Sequence, residues 1–149
     1  MTKIERSIEI NASPEDVWTA ILPENMPQWF EPFKEVEWTS KDSHHKGSTF
    51  RVSSDIADTK SRWDAVMTEV KENELGVWRT TSGSINGVAA ASLSPTESGT
   101  KLSMSMDYKL PYSVVGRMFD KIRVHKELEK DFEVGLRDLK YLLENYPKS

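Results

Sequence analysis

The chain has 149 residues, 37% of them apolar and none of them cysteine, a size that suits one domain and a composition that excludes disulfide scaffolds, thiolate nucleophiles and thiolate metal sites. Lys plus Arg total 20 against 24 Asp plus Glu, a net charge of −4 that leaves no positive surplus for a nucleic-acid backbone or an anionic membrane surface. No apolar run approaches the roughly 18–20 residues that span a bilayer, and the opening MTKIERSIEI lacks the unbroken apolar stretch of a secretory signal. The expectation is therefore a cytoplasmic protein with a single domain over residues 1–149 and no integral membrane association.

Residues 2–10 alternate, with Ile4, Ile8 and Ile10 on one parity and Lys3, Glu5, Ser7 and Glu9 on the other, which predicts a half-buried strand. Arg6 interrupts the apolar parity. Ser13 is placed to cap a helix that begins at Pro14, with Glu15 and Asp16 in the first turn where the helix dipole favours negative charge. Pro23 ends that helix, and 24–29 reads as one further helical turn before Pro32. From 33 to 110 the pattern becomes period two, with strands predicted at about 33–40, 48–55, 59–70, 74–81, 85–94 and 100–110, joined by turn-rich segments such as KDSHHKG, DIAD and TESG.

After Pro111, residues 112 to about 145 contain no proline, which predicts one helix about 45 Å long at about 1.5 Å per residue. Its apolar residues fall on two stripes: Val115, Met118, Phe119 and Ile122 on the first, Leu128, Phe132, Leu136, Leu139 and Leu143 on a second rotated by roughly 90°. His125 and Glu129 stand one turn apart between them, close to the inward direction. Grouped strands with helices at both ends define an α+β fold. A seven-stranded antiparallel sheet needs one face covered, and only the terminal helix is long enough to do it. A curved sheet and a straight helix cannot touch everywhere, so the gap becomes either packed core or a ligand cavity.

The segments IERSIEINASPEDVWTAI, MPQWFEPFKEVEW, MTEVKENELGVWR, SGTKLSMSMDY and the helix end LRDLKYLLEN together resemble the polyketide cyclase/dehydrase and lipid-transport superfamily, which includes START domains, the birch-pollen-allergen fold, coenzyme-Q-binding proteins and activators of the Hsp90 ATPase. The resemblance covers nearly the whole chain. It implies a helix-grip fold, the long terminal helix laid across the sheet above a hydrophobic pocket. It carries across no catalytic residue, because that superfamily has no universal catalytic triad.

The inward parities supply a candidate lining: Trp63, Met67, Val77, Leu93, Met104, Met106 and Tyr108 from the strands, with Phe119, Ile122 and Phe132 from the helix. Ordinary core packing accounts for the same residues; the methionines favour a pocket because their side chains adapt to varied shapes. Arg79 shares a parity with Leu75 and Val77 and would orient an acidic or carbonyl ligand, unless it sits in water at a strand end. His125 with Glu129 would form an acid–base couple if both face inward. His44 and His45 lack a third ligand at a metal-binding spacing, and no phosphate-binding glycine loop or nucleophile elbow is present. No metal or cofactor is expected.

These features suit carriage of a small hydrophobic ligand, such as a lipid, quinone or polyketide-like molecule. They also suit a cyclase/dehydrase-type enzyme working in the same cavity, or an interaction module of the Hsp90-co-chaperone kind that uses QWFEPF as an exposed apolar patch. An edge strand and the rotated helix stripe leave monomer and homodimer both open.

Overall fold

The computed structural model describes residues 2–83, 85–109 and 118–145, the side chains of 118–121 excepted. Strand β1 (Thr2–Ile10) leads into helix α1 (Pro14–Ile21) and a 3-10 helix (Pro23–Gln28), followed by β2 (Phe33–Trp38), β3 (Thr49–Ile56), β4 (Thr59–Lys71), β5 (Leu75–Gly83), β6 (Asn86–Pro95), β7 (Thr100–Lys109) and helix α2 (Met118–Asn145). The order is the one the alternation and capping signals predict. Ser13 caps α1 as expected, its extended backbone turning the hydroxyl to accept from the Asp16 N–H at 3.1 Å. The predicted turn after Pro23 is the 3-10 helix, which suits a segment carrying Pro27. The part of the predicted terminal helix before Met118 lies outside the described residues.

All seven strands form one antiparallel, curved sheet in the order β1-β7-β6-β5-β4-β3-β2. Strands β2 to β7 are a meander, and β1 closes onto β7 in an unbroken register from Thr2↔Tyr108 to Ile10↔Thr100. Register shifts interrupt β2–β3 between Phe33 and Glu35 and β4–β5 between Asp64 and Ala65 and between Met67 and Glu69; irregularities of this kind bend a strand and increase its twist. At the last shift two steps of β4 face one step of β5, since Met67 pairs with Trp78 and Glu69 with Val77. Trp63, Ala65 and Met67 are buried before the shift, and Val70 takes over the inner side beyond it.

Helix α2 lays Leu128, Phe132, Leu136 and Leu139 onto the concave side, each 4% exposed or less. This is the second of the two predicted stripes. Of the first, Ile122 is 52% exposed, while Val115, Met118 and Phe119 lie outside the residues whose side chains are described. Gly135 allows α2 to approach the aromatic corner after the 3-10 helix: a Cβ there would sit 3.0 Å from Phe30 Cδ1 and 3.5 Å from Trp29 Cε3. Phe30 in turn packs edge-on to Phe33 at 5.0 Å and to Phe132 at 5.6 Å between ring centres.

Polar side chains fasten α2 along the β1 edge. Arg6 donates to Glu129 at 2.8 Å and to Glu133 at 3.2 Å, so the charge that broke the strand's apolar parity is paired at the helix. Lys140 donates to the Glu9 carbonyl at 2.7 Å, and Glu144 accepts from Lys140 and from the Asn11 N–H at 2.8 Å each. These contacts hold the Glu144 carboxyl below the usual carboxylate range, Lys140 contributing most. Exposed pairs of this kind contribute little individually; together they fix where the helix lies. No described helix is long and apolar enough to cross a membrane.

Candidate functional site

Between the sheet, α1, the 3-10 helix and the middle of α2 lies an apolar cavity. Its sheet wall comes from Met67, Val70, Gly76, Trp78, Ala89, Ala91, Met104 and Met106, and its cover from Trp18, Ile21, Met26, Phe132 and Leu136. Trp38 and His44 stand at one margin with Leu22 and Pro23. Small residues make the room: Ala89 lies opposite Met106 and Ala91 opposite Met104 in the ladder. At Gly76 a Cβ would already touch Trp18 at 3.4 Å, so the bare backbone there lets the α1 indole reach the sheet. The space between these side chains, open mouth included, is about 810 Å3, yet the centre of a water molecule fits in only about 50 Å3 of it. The second figure measures the interior as it stands, roughly four waters' worth and far below the roughly 300–1,000 Å3 of a drug-sized site.

Four of the predicted lining residues, Met67, Met104, Met106 and Phe132, meet around this cavity. Trp63 is buried one layer behind it, stacked on Trp78 at 5.4 Å with its indole N–H donating to Ser54 Oγ at 3.0 Å. Leu93 is buried opposite Leu102 in the adjoining core. Val77 and Arg79 correct the reading of β5: both face away from the cavity, Arg79 is exposed, and Gly76 and Trp78 take the inner side. Both parities of that strand carry apolar residues, and the stack of Trp78 on Trp63 decides between them. Ile122 is exposed, and Phe119 lies outside the residues whose side chains are described.

Tyr108, His125 and Glu129 do come together, but beside the cavity rather than in its wall. The Tyr108 hydroxyl lies 2.8 Å from His125 Nδ1, His125 Nε2 lies 3.1 Å from Glu129 Oε1, and Glu129 accepts from Arg6. Burial, with the Glu129 charge second, pushes the Tyr108 phenol up to about 12, so this hydroxyl keeps its proton at neutral pH. The row links β7, α2 and β1. Trp29 and Phe30 are 4% and 2% exposed, and Trp29 donates its indole N–H to the Ala20 carbonyl at 2.8 Å. The apolar side chains of QWFEPF are therefore inside the molecule, which removes the surface that the interaction-module reading required. His44 pairs with Glu24, and among the described residues no group of three His, Cys, Asp or Glu is arranged to hold a metal.

A second cleft of about 320 Å3 opens on the other side of Trp29, lined by Glu31, Lys34, Asp55, Asp58, Glu127, Lys130 and Asp131 among others. It is a polar groove. Burial holds the Asp131 carboxyl above its ordinary range, reinforced by Glu127 and Glu31 and opposed by Lys130 and Lys34.

One strand, two short helices, a six-strand meander and a terminal helix over an apolar hollow define a helix-grip fold. The chain belongs to the polyketide cyclase / dehydrase and lipid transport family, whose model matches residues 1–144. Its structure is similar to that of the Zhui aromatase/cyclase of a Streptomyces species, with a TM-score of 0.82, 13% identity and coverage of 99% of this chain and 96% of that one. It is also similar to a protein of Thermus thermophilus (TM-score 0.81, 18% identity, 99% and 100% covered) and to a START superfamily protein of Mycobacterium smegmatis (0.76, 18%, 96% and 97%). At these identities the likeness concerns the fold. No functionally curated protein matches the chain significantly.

Proposed function

We propose that this chain binds and carries a small hydrophobic ligand, such as a lipid, quinone or polyketide-like molecule, between the sheet and α2. One observation carries the reading: an almost purely apolar cavity walled by Met26, Met67, Met104 and Met106 lies beneath the helix in a chain of this family. A core meant only for stability gains from branched aliphatic side chains with few rotamers. Thioethers at four points of one hollow instead supply a wall that reshapes at low cost. The ligand is admitted by rotation of these methionines, since the interior at rest has space for about 50 Å3 of water centres.

Native mass spectrometry of the purified protein tests this directly, because a carrier retains apolar molecules that a Met106→Trp variant, its hollow filled from β7, loses. A protein that retains nothing and binds none of a panel of fatty acids, quinones and aromatic polyketides refutes it. Cyclase/dehydrase-type proton transfer is the second reading, favoured by the continuous row of Tyr108, His125 and Glu129. It ranks lower because none of the three lines the apolar cavity.

A further inference from the structure

The apolar cavity meets water beside the loop 39–48 that joins β2 to β3. Of the described residues that line it, His44 alone is exposed, and Leu22 and Trp38 at the same margin are half-buried. The loop is fastened at both roots. Thr39 N–H donates to the Thr49 carbonyl at 2.8 Å, Gly47 N–H to the Met67 carbonyl at 2.7 Å, and Met67 N–H to the Ser48 carbonyl at 2.9 Å. The span between the roots, 41–46, is nearly all exposed. Among the described residues, only one side chain of that span makes a hydrogen bond or ion pair outside the loop. It is His44, whose Nε2 pairs with Glu24 Oε2 on the 3-10 helix, while its ring lies edge-on to Trp38 with ring centres 5.0 Å apart.

A loop anchored at its roots and tied at its tip by one side chain has two states. Tied, it holds the imidazole against the margin of the cavity; released, it leaves that margin to solvent. A part-exposed ion pair is a weak tie, so release is within reach of thermal motion. The methionines make room inside the cavity, but a ligand still has to pass its margin. We infer that loop 39–48 is a lid over the mouth of the cavity and that the His44–Glu24 pair is its latch, setting how fast an apolar ligand enters and leaves rather than how tightly it is held. This rests on the cavity being a ligand site. Glu24 does not itself line the cavity, so it reaches a ligand there only through His44. A tie made equally in the empty and the filled protein shifts no binding equilibrium, and that separates a latch from a piece of wall.

Stopped-flow mixing of the full chain with two fluorescent apolar probes, N-phenyl-1-naphthylamine and cis-parinaric acid, gives the rates of uptake and release and, from their ratio, Kd. Glu24→Ala is expected to raise both rates about fivefold, the factor that corresponds to loss of a part-exposed pair of about 1 kcal/mol, and to leave Kd unchanged. His44→Asn removes the imidazole but keeps a residue that tolerates the left-handed backbone of this position, φ 66. It also speeds release, and the double variant speeds it by less than the product of the two single effects, because both break one tie. Closing the lid permanently acts in the opposite sense: Glu24→Cys with His44→Cys, joined by a bismaleimide in a chain that has no other thiol, slows both rates. Should Glu24→Ala fail to fold, Glu24→Gln keeps the shape, loses the charge and carries the same test with a smaller rise. Unchanged rates in the Glu24 variant, or a weaker Kd with uptake unaltered, overturn the latch and leave the cavity reading standing. Uptake of neither probe by the wild-type chain overturns both.

Discussion

Replacing Gly135 with Ala sets two effects of known sign against each other. In the interior of α2 the substitution removes the entropic cost of a helical glycine, about 1 kcal/mol in favour of the variant. Against it, the new methyl lies 3.0 Å from Phe30 Cδ1 and 3.5 Å from Trp29 Cε3, and the first of these is closer than ordinary van der Waals contact. Phe30 has little room to yield: it is 2% exposed, with Phe33 edge-on at 5.0 Å and Phe132 at 5.6 Å. Overpacking against a confined ring costs about 1–3 kcal/mol. The net expectation is a loss of about 1 kcal/mol, or about 3 °C in Tm for a chain of this size, measured by thermal and urea unfolding followed by circular dichroism. In a Phe30→Leu background the obstructing ring edge is gone, and Gly135→Ala should become neutral or stabilising, a coupling that a double-mutant cycle resolves. If Gly135→Ala raises Tm in the wild-type background, the close approach of α2 to the aromatic corner is not what holds the glycine there.

Ser54→Ala deprives the buried Trp63 indole N–H of its acceptor and should cost about 1–3 kcal/mol in urea unfolding; a cost within error would mean that water reaches the indole. Two carboxyls shift in opposite senses and give stability of opposite pH dependence. Asp64, held below its ordinary pKa first by Arg51 and then by Ser82, contributes stability that is present above its unfolded pKa of about 3.9 and is lost as pH falls through its folded value. Asp64→Asn should therefore lower Tm at pH 7 by a small amount that disappears in strong acid. Asp131, held above its ordinary pKa by burial, opposes folding once ionised. Asp131→Asn should raise Tm at pH 7, and the gain should vanish as pH falls below about 4, where the carboxyl is protonated in both states.

The strand order, the capped first helix and the α+β class were legible because each rests on a local pattern: alternation in residues 2–10 and 100–109, and Ser-Pro-Glu-Asp at 13–16. The lining was legible only where one parity is apolar and the other polar, as on β7, whose Met104 and Met106 line the cavity. On β5 both parities carry apolar residues, and nothing local favours Trp78 over Val77 until the Trp63 indole of β4 stacks on it. Trp18, Met26 and Trp38 escaped because they reach the cavity from the connection between β1 and β2 and from an edge strand, and their convergence depends on how that connection folds over the sheet. Burial of Trp29 and Phe30 was out of reach for a related reason: the corner that receives them is formed by Gly135, more than 100 residues away.

The pairing of β1 with β7 has a temporal consequence. Residues of the first strand find their partners about 90 to 106 positions further along the chain, so at roughly 5–20 residues per second the ribosome takes on the order of 5–20 s to supply them. The meander can zip hairpin by hairpin in that interval, whereas the row of Ile4, Ile8 and Ile10 waits uncovered. The last strand of the meander then emerges with an open edge, a template for the first strand of its own molecule or of a neighbour. Yield on crowded polysomes or in concentrated refolding is thus set by a race between closure within one chain and exchange between two.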